Sequence, residues 1–113
     1  MISVMVEVGQ SDELRYVRAN GHANAGSKGN DIVCSAVSVL LRTVVLTLFD
    51  EKAGLKTRLD VQNCGALEFE VEDYNLECIG LLRYAAEFLQ KGMESIQQEK
   101  PESIELVLNR VYA

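Results

Sequence analysis

Ile2, Val4, Val6 and Val8 recur at every second position, and that period of two predicts a β-strand over residues 2–8. Gly9-Gln10-Ser11-Asp12 reads as a turn, and residues 14–20 as a second strand paired with the first. Residues 21–30, GHANAGSKGN, hold three glycines and two asparagines and read as a loop, ordered only with a ligand or partner. The period then changes. Ile32, Val33, Ala36, Val37, Leu40, Leu41, Val44, Val45, Leu48 and Phe49 recur at helical spacing, behind Asn30 or Asp31 as the N-cap. This helix is apolar over most of its circumference, so it is expected to be largely buried. Residues 56–62 and 66–72 form a hairpin around Asn63-Cys64-Gly65. Leu67, Phe69 and Val71 face one way along its second arm and Glu68, Glu70 and Glu72 the other. A second helix covers residues 76–98, Pro101 prevents its extension, and residues 103–111 form a last strand. The order ββαββαβ predicts an α+β fold, with two helices packed on one face of a mostly antiparallel sheet.

Length and composition narrow the picture further. A chain of 113 residues is the size of one domain, residues 1–113, and 48% apolar residues against 25% charged exclude a disordered or low-complexity chain. Eleven basic and seventeen acidic residues leave a net charge of −6, unsuited to sequence-blind nucleic-acid binding and better suited to a basic partner. The first ten residues lack the basic and apolar regions of a signal peptide. The nearly uncharged stretch from Ile32 to Leu41 is too short to span a bilayer, so no membrane role is expected. Cys34, Cys64 and Cys78 are an odd set without paired spacing, which points to a reducing cytoplasm rather than a disulfide framework.

Two residues carry candidate chemistry. His22, the only histidine, ends the second strand, and Cys34 follows twelve residues later in the first turn of the apolar helix. With Asp31 as N-cap, Cys34 stands third in the helix, where unpaired amides and the positive end of the dipole favour a thiolate. The intervening segment is long enough to bring His22 back to it, which would make a Cys–His nucleophile with helix amides as oxyanion donors. The bland alternatives are a cysteine that packs as a small core residue and a solvated loop histidine. Asp31 either caps the helix or orients His22 as the third member of a triad. Ser38, one turn beyond Cys34, either bonds the backbone at position 34 or lines a pocket. His22, Cys34, Cys64 and Cys78 have no C-x-x-C spacing for a zinc site, and no metal or cofactor is expected. Gly26-Ser27-Lys28-Gly29 lacks the order of a phosphate loop.

Gly21-His22-Ala23, the glycine-containing segment after it, and the run from Gly29 through Asp31, Cys34 and Ser38 (GNDIVCSAVS) resemble the signature of the Prp family, ribosomal-processing cysteine proteases of Firmicutes and related bacteria. The signature covers about eighteen residues, and length and element order extend the likeness over the whole chain. The resemblance implies an endopeptidase that removes a short N-terminal extension from a large-subunit ribosomal protein precursor, cutting after an aromatic residue in an apolar motif. It also implies a homodimer, and a loop with Gly21, Gly26 and Gly29 that reorganises around substrate. Cys34 would be the nucleophile and His22 the general base and acid, with Asp31 and Ser38 in support. A non-catalytic, dimeric ribosome-associated binding module is the alternative, and a thiol-based redox protein a weaker one, since no second cysteine stands near Cys34 in sequence.

Overall fold

The computed structural model describes residues 1–21, 28–49, 54–61 and 66–111, with side chains in the long helix from Ile32 onward. Its elements are β1 (Ile2–Val8), β2 (Leu14–Asn20), α1 (Lys28–Phe49), β3 (Leu55–Val61), β4 (Leu67–Tyr74), a short 3-10 turn (Leu76–Cys78) that leads into α2 (Ile79–Glu99), and β5 (Ile104–Arg110). The order is the expected ββαββαβ. The five strands lie side by side as β3-β4-β2-β1-β5. Only β1 and β5 run parallel, and the other three neighbouring pairs are antiparallel. The fold is therefore α+β with a mostly antiparallel mixed sheet.

One face of the sheet carries the core. Ile2, Val4 and Val6 of β1, Leu14, Val17 and Ala19 of β2, and Phe69 and Val71 of β4 are buried with Val33, Val37, Leu41, Val44, Val45 and Leu48 of α1 and Leu82, Ala85, Ala86, Leu89 and Met93 of α2. The spacing of three and four in both helix sets is the period the sequence displayed. The opposite face carries Arg58, Asp60, Glu68 and Glu70. Arg58 reaches Glu70 at 3.3 Å, with both side chains more than 40% exposed, so that pair adds at most about 1 kcal/mol.

Leu14 and Val17, three residues apart, both face the core because β2 is bulged. Tyr16 pairs with Glu7 and Leu14 with Val8, which leaves Arg15 as the extra residue. The displaced Arg15 lies over the Tyr74 ring, 5.6 Å from its centre. Beneath it the Tyr74 hydroxyl donates to the buried carboxylate of Glu13, and the Ser11 amide donates to the other carboxylate oxygen at 3.0 Å. Arg110 of β5 closes the β1–β2 turn by pairing with Asp12 and donating to the Gly9 carbonyl at 2.8 Å. Nothing in the sequence pattern singled out Glu13, Tyr74 or Arg110. Their contacts join positions 61 to 101 residues apart.

Two sequence expectations need correction. The long helix starts at Lys28, not after Asn30 or Asp31. Gly29, expected in the loop, is its second residue and Asp31 its fourth, so Asp31 is not the N-cap. A glycine in a first turn costs only about 1 kcal/mol against alanine, which polar, glycine-rich composition alone does not reveal. The helix is also longer as an apolar unit than the stretch from Ile32 to Leu41. Ile32–Phe49 is an 18-residue segment of mean hydropathy 2.2, broken only by Arg42, and by length and composition it could cross a bilayer. Six of its residues instead lie in the core against the sheet and α2.

Candidate active site

The carboxyl end of β2 sets one wall of the site. Ala19 pairs with Val4 on one side and Leu67 on the other, and Leu67 pairs in turn with Val61, the last residue of β3. The ends of β2 and β3 and the start of β4 are therefore level. Gly21 follows immediately, with φ at +114°, a conformation that side chains oppose. A methyl group there would stand 2.6 Å from the Met1 carbonyl oxygen and 3.2 Å from the Ile2 α-carbon. Only glycine fits at this position, immediately after the last residue of β2. His22 itself and Gly26 lie outside the described residues.

Cys34 is the seventh residue of α1, about 9 Å along the axis from Lys28. The orphan amides and the dipole's effect belong to the first turn, so the position at the helix start expected for Cys34 is displaced by one turn. Neither helix amides as oxyanion donors nor dipole stabilisation of a thiolate follows from this placement. The thiol is partly exposed while its inner side packs against the core. Cys78, by contrast, is buried at the start of α2. Both are free thiols, so these two form no disulfide with each other. Among the described residues no group of three or more His, Cys, Asp or Glu could hold a metal ion; Cys64 lies outside them.

Helix geometry orients the thiol. Leu40 packs against Gly92 of α2 and so marks the side of α1 that faces its neighbour. At 100° per residue, Cys34 lies about 120° around the axis from Leu40, between the buried Leu41 and Val45, and Ser38 about 160°, just past them. Phe49, about 180° around, meets Phe69 of β4 edge-on with ring centres 5.8 Å apart. Cys34 and Ser38 are therefore both turned away from α2, Cys34 toward the sheet and Ser38 at the margin of the sheet-facing residues. Ser38 is exposed and makes no hydrogen bond among the described residues, so it does not bond the backbone at position 34. The side chain of Asp31 lies outside the description.

Two hollows complete the surroundings. A small polar one of about 120 Å³, lined by Arg18, Asn20, Asp60 and Glu68 among others, opens at the end of the sheet where Gly21 leaves β2. A larger cleft of about 520 Å³ between α2 and β5, lined by Val8, Arg83, Glu87, Leu108 and Arg110 among others, lies at the opposite end. The second belongs to the Arg110–Asp12 corner and has no part in the chemistry of Cys34.

The sequence model of the cysteine protease Prp family matches residues 1–105. No curated protein matches the chain. Solved structures share its fold. The ribosomal processing protease Prp from S. aureus in complex with a substrate peptide superposes with a TM-score of 0.78 at 20% identity, over 96% of this chain and 100% of that one. The S. aureus protease with a covalently linked product peptide gives 0.78 at 23% identity, over the same shares. A protein from Streptococcus mutans gives 0.78 at 22% identity, over 98% of this chain and 96% of that one.

Proposed function

We propose that this chain, which belongs to the cysteine protease Prp family, removes the N-terminal extension of a large-subunit ribosomal protein precursor, with Cys34 as nucleophile and His22 as general base and acid. The observation that carries the assignment of the nucleophile is the contrast between the two described cysteines. Cys34 is open on one side and lies in the run that resembles the family signature, while Cys78 is sealed in the core. The S. aureus relatives, bound to a substrate peptide and to a covalently linked product peptide, support peptide-bond chemistry through a covalent intermediate.

In this reaction His22 takes the thiol proton and the Cys34 sulfur attacks the scissile carbonyl carbon. The tetrahedral intermediate collapses as His22 returns the proton to the departing amine, which leaves an acyl thioester on Cys34. Water, deprotonated by His22, then attacks the thioester, releases the acid and restores the thiol. Gly21, next to His22 in sequence, ends the described part of this segment in a conformation that only glycine adopts. Ser38 is a candidate for contact with bound peptide, since its hydroxyl is free and on the same flank as the thiol.

The protein is further proposed to act as a homodimer in the cytoplasm. Ile32, Val39 and Leu46, seven residues apart, are 68%, 56% and 62% exposed and form an apolar stripe along the outer side of α1. A stripe of that spacing suits packing against the same stripe of a second copy. It also supports the second reading, a dimeric binding module without catalysis.

The test is cleavage of a peptide that carries the precursor's N-terminal extension, followed by mass spectrometry. Wild type is expected to give a single cut, and Cys34→Ala and His22→Ala to lose at least about a thousandfold in rate. Cleavage by Cys34→Ala at the wild-type rate would remove Cys34 as nucleophile. Binding without any product from wild type would favour the module.

A further inference from the structure

We propose that the open face of the sheet, opposite the one packed against the helices, is a docking surface for the basic body of the precursor, the part beyond its N-terminal extension. Both helices pack against the other face, and among the described residues no element covers this one. Strand register fixes what it presents. Glu7 pairs with Tyr16, Tyr16 with Glu70, and Glu70 with Arg58. In the next row Val107, Met5, Arg18, Glu68 and Asp60 pair in turn. Val6, Val17 and Phe69, which lie between the two rows, are buried in the core, so both rows point away from it. Glu105 joins them on the same face of β5, two residues before Val107. These positions hold five carboxylates and two guanidiniums, a net charge of −3 out of the molecule's −6.

The sign of the charge chooses the class of partner. Nucleic acid and an anionic membrane are repelled by such a face, whereas a protein rich in Lys and Arg is attracted to it. Acidity alone would gather counterions and nothing more, but this face also has an apolar centre. Met5 and Tyr16 stand diagonally across the β1–β2 pair, both half-buried, and Val107 beside Met5 is 40% exposed. Aromatic and methionine side chains within a charged rim are the make-up of a protein-binding patch. Burial, with Glu68 and Glu7, pushes the Tyr16 phenol up against the opposing Arg18 and Arg58, so the negative field reaches this centre. Strands of seven or eight residues, about 3.3 Å each, and five strands about 4.8 Å apart make a face roughly 20 Å in both directions. That is about half the area per partner of a stable complex. A contact of this size is weak and reversible, which suits an enzyme that must release its product. A peptide at Cys34 and a body held here do not compete, because α1 lies on the other side of the sheet.

This inference rests on the precursor as substrate, so the experiment has a readout for each. KM is measured for the whole precursor and for a short uncharged peptide with the same cleavage sequence. The triple variant Glu7→Gln, Glu70→Gln and Glu105→Gln should raise KM for the precursor about fivefold or more and flatten its salt dependence. It should leave kcat/KM for the peptide at the wild-type value, which also establishes that it folds. An equal loss of charge away from this face, Glu77→Gln, Glu87→Gln and Glu99→Gln, all exposed, should change the precursor's KM by less than about twofold. Equal effects of the two triples would trace the attraction to total charge and overturn the docking surface. An unchanged precursor KM in the first triple would overturn it as well, and the protease reading stands in either case. If wild type cleaves neither substrate, the protease reading fails. Carbodiimide coupling of the precursor to Cys34→Ala, mapped by mass spectrometry, then decides the surface on its own. Cross-links from precursor lysines to Glu7, Glu68 or Glu105 support it, and their absence or their confinement to carboxylates of the helices overturns it.

Discussion

Glu13 shows how a single residue sets a pH limit on the fold. Burial alone would push its carboxyl up. The Tyr74 hydroxyl, the amides of Glu13 and Ser11, and the Arg15 charge together overcome that and hold it below the usual carboxylate range. On the other side of the bond, the Glu13 carboxylate, with burial, raises the Tyr74 phenol above its ordinary value. A depressed carboxyl contributes stability at pH values above its unfolded value and loses it as pH falls through the folded one; a raised phenol loses its contribution only as pH climbs through its folded value. The pair therefore stabilises the neutral range. Tyr74→Phe is expected to lower stability by about 1–3 kcal/mol at pH 7, because the buried carboxylate loses its strongest donor. The deficit should shrink toward pH 4, where Glu13 in the variant readily takes up a proton; urea denaturation at the two pH values checks this. Gly21 carries the opposite kind of requirement, one of shape. Gly21→Ala puts a side chain at φ +114° and 2.6 Å from a backbone oxygen, so a loss of about 1–3 kcal/mol is expected, together with reduced peptide cleavage. Cleavage reduced with unchanged stability would mean that Gly21 matters through substrate contact and not through the turn.

At the scale of the element, α1 serves two surfaces at once. Its inner residues close the core, and its outer stripe of Ile32, Val39 and Leu46 is left to water in a single chain. A charge at the middle of that stripe should not disturb the core but should oppose association. Val39→Asp is expected to shift a dimer to monomer in sedimentation velocity while the circular dichroism spectrum stays unchanged; a dimer that persists would place the interface elsewhere. The same helix shows what a sequence can reveal of an element. Its period was plain because burial demands it at every turn, and the strands stood out through alternation for the same reason. Its first residue was not, since Lys28, Gly29 and Asn30 have the polar, glycine-containing composition of a loop and their helical state depends on backbone bonds that composition does not encode. The bulge at Arg15 was half visible: Leu14 and Val17, three apart, break the alternation, but only the pairing of Leu14 with Val8 shows which residue is the extra one.

Across the whole molecule, adjacency is what the chain conceals. The order β3-β4-β2-β1-β5 rests on the pairing of β2 with β4, 48 to 54 residues apart, and on the parallel pairing of β1 with β5, 102 residues apart. The identity of His22 and Cys34 as candidates was legible from type and spacing, and the flank on which the thiol opens was not. Charge, in contrast, is a property of the molecule that the sequence states outright. With seventeen acidic and eleven basic residues the protein carries −6, and a ribosomal protein precursor is basic. Attraction between two such bodies acts over about 10 Å at 0.1 M salt and over about 3 Å at 1 M. Raising salt from 0.05 to 0.5 M is therefore expected to lower kcat/KM for the whole precursor several-fold, through KM, while kcat holds, since the bond-breaking step lies inside the screened site. A short uncharged peptide with the same cleavage sequence should lose far less over the same range. Equal salt sensitivity for both would trace the effect to the local site rather than to the field of the molecule, and would move attention to the charged residues nearest Gly21, Arg18, Asp60 and Glu68.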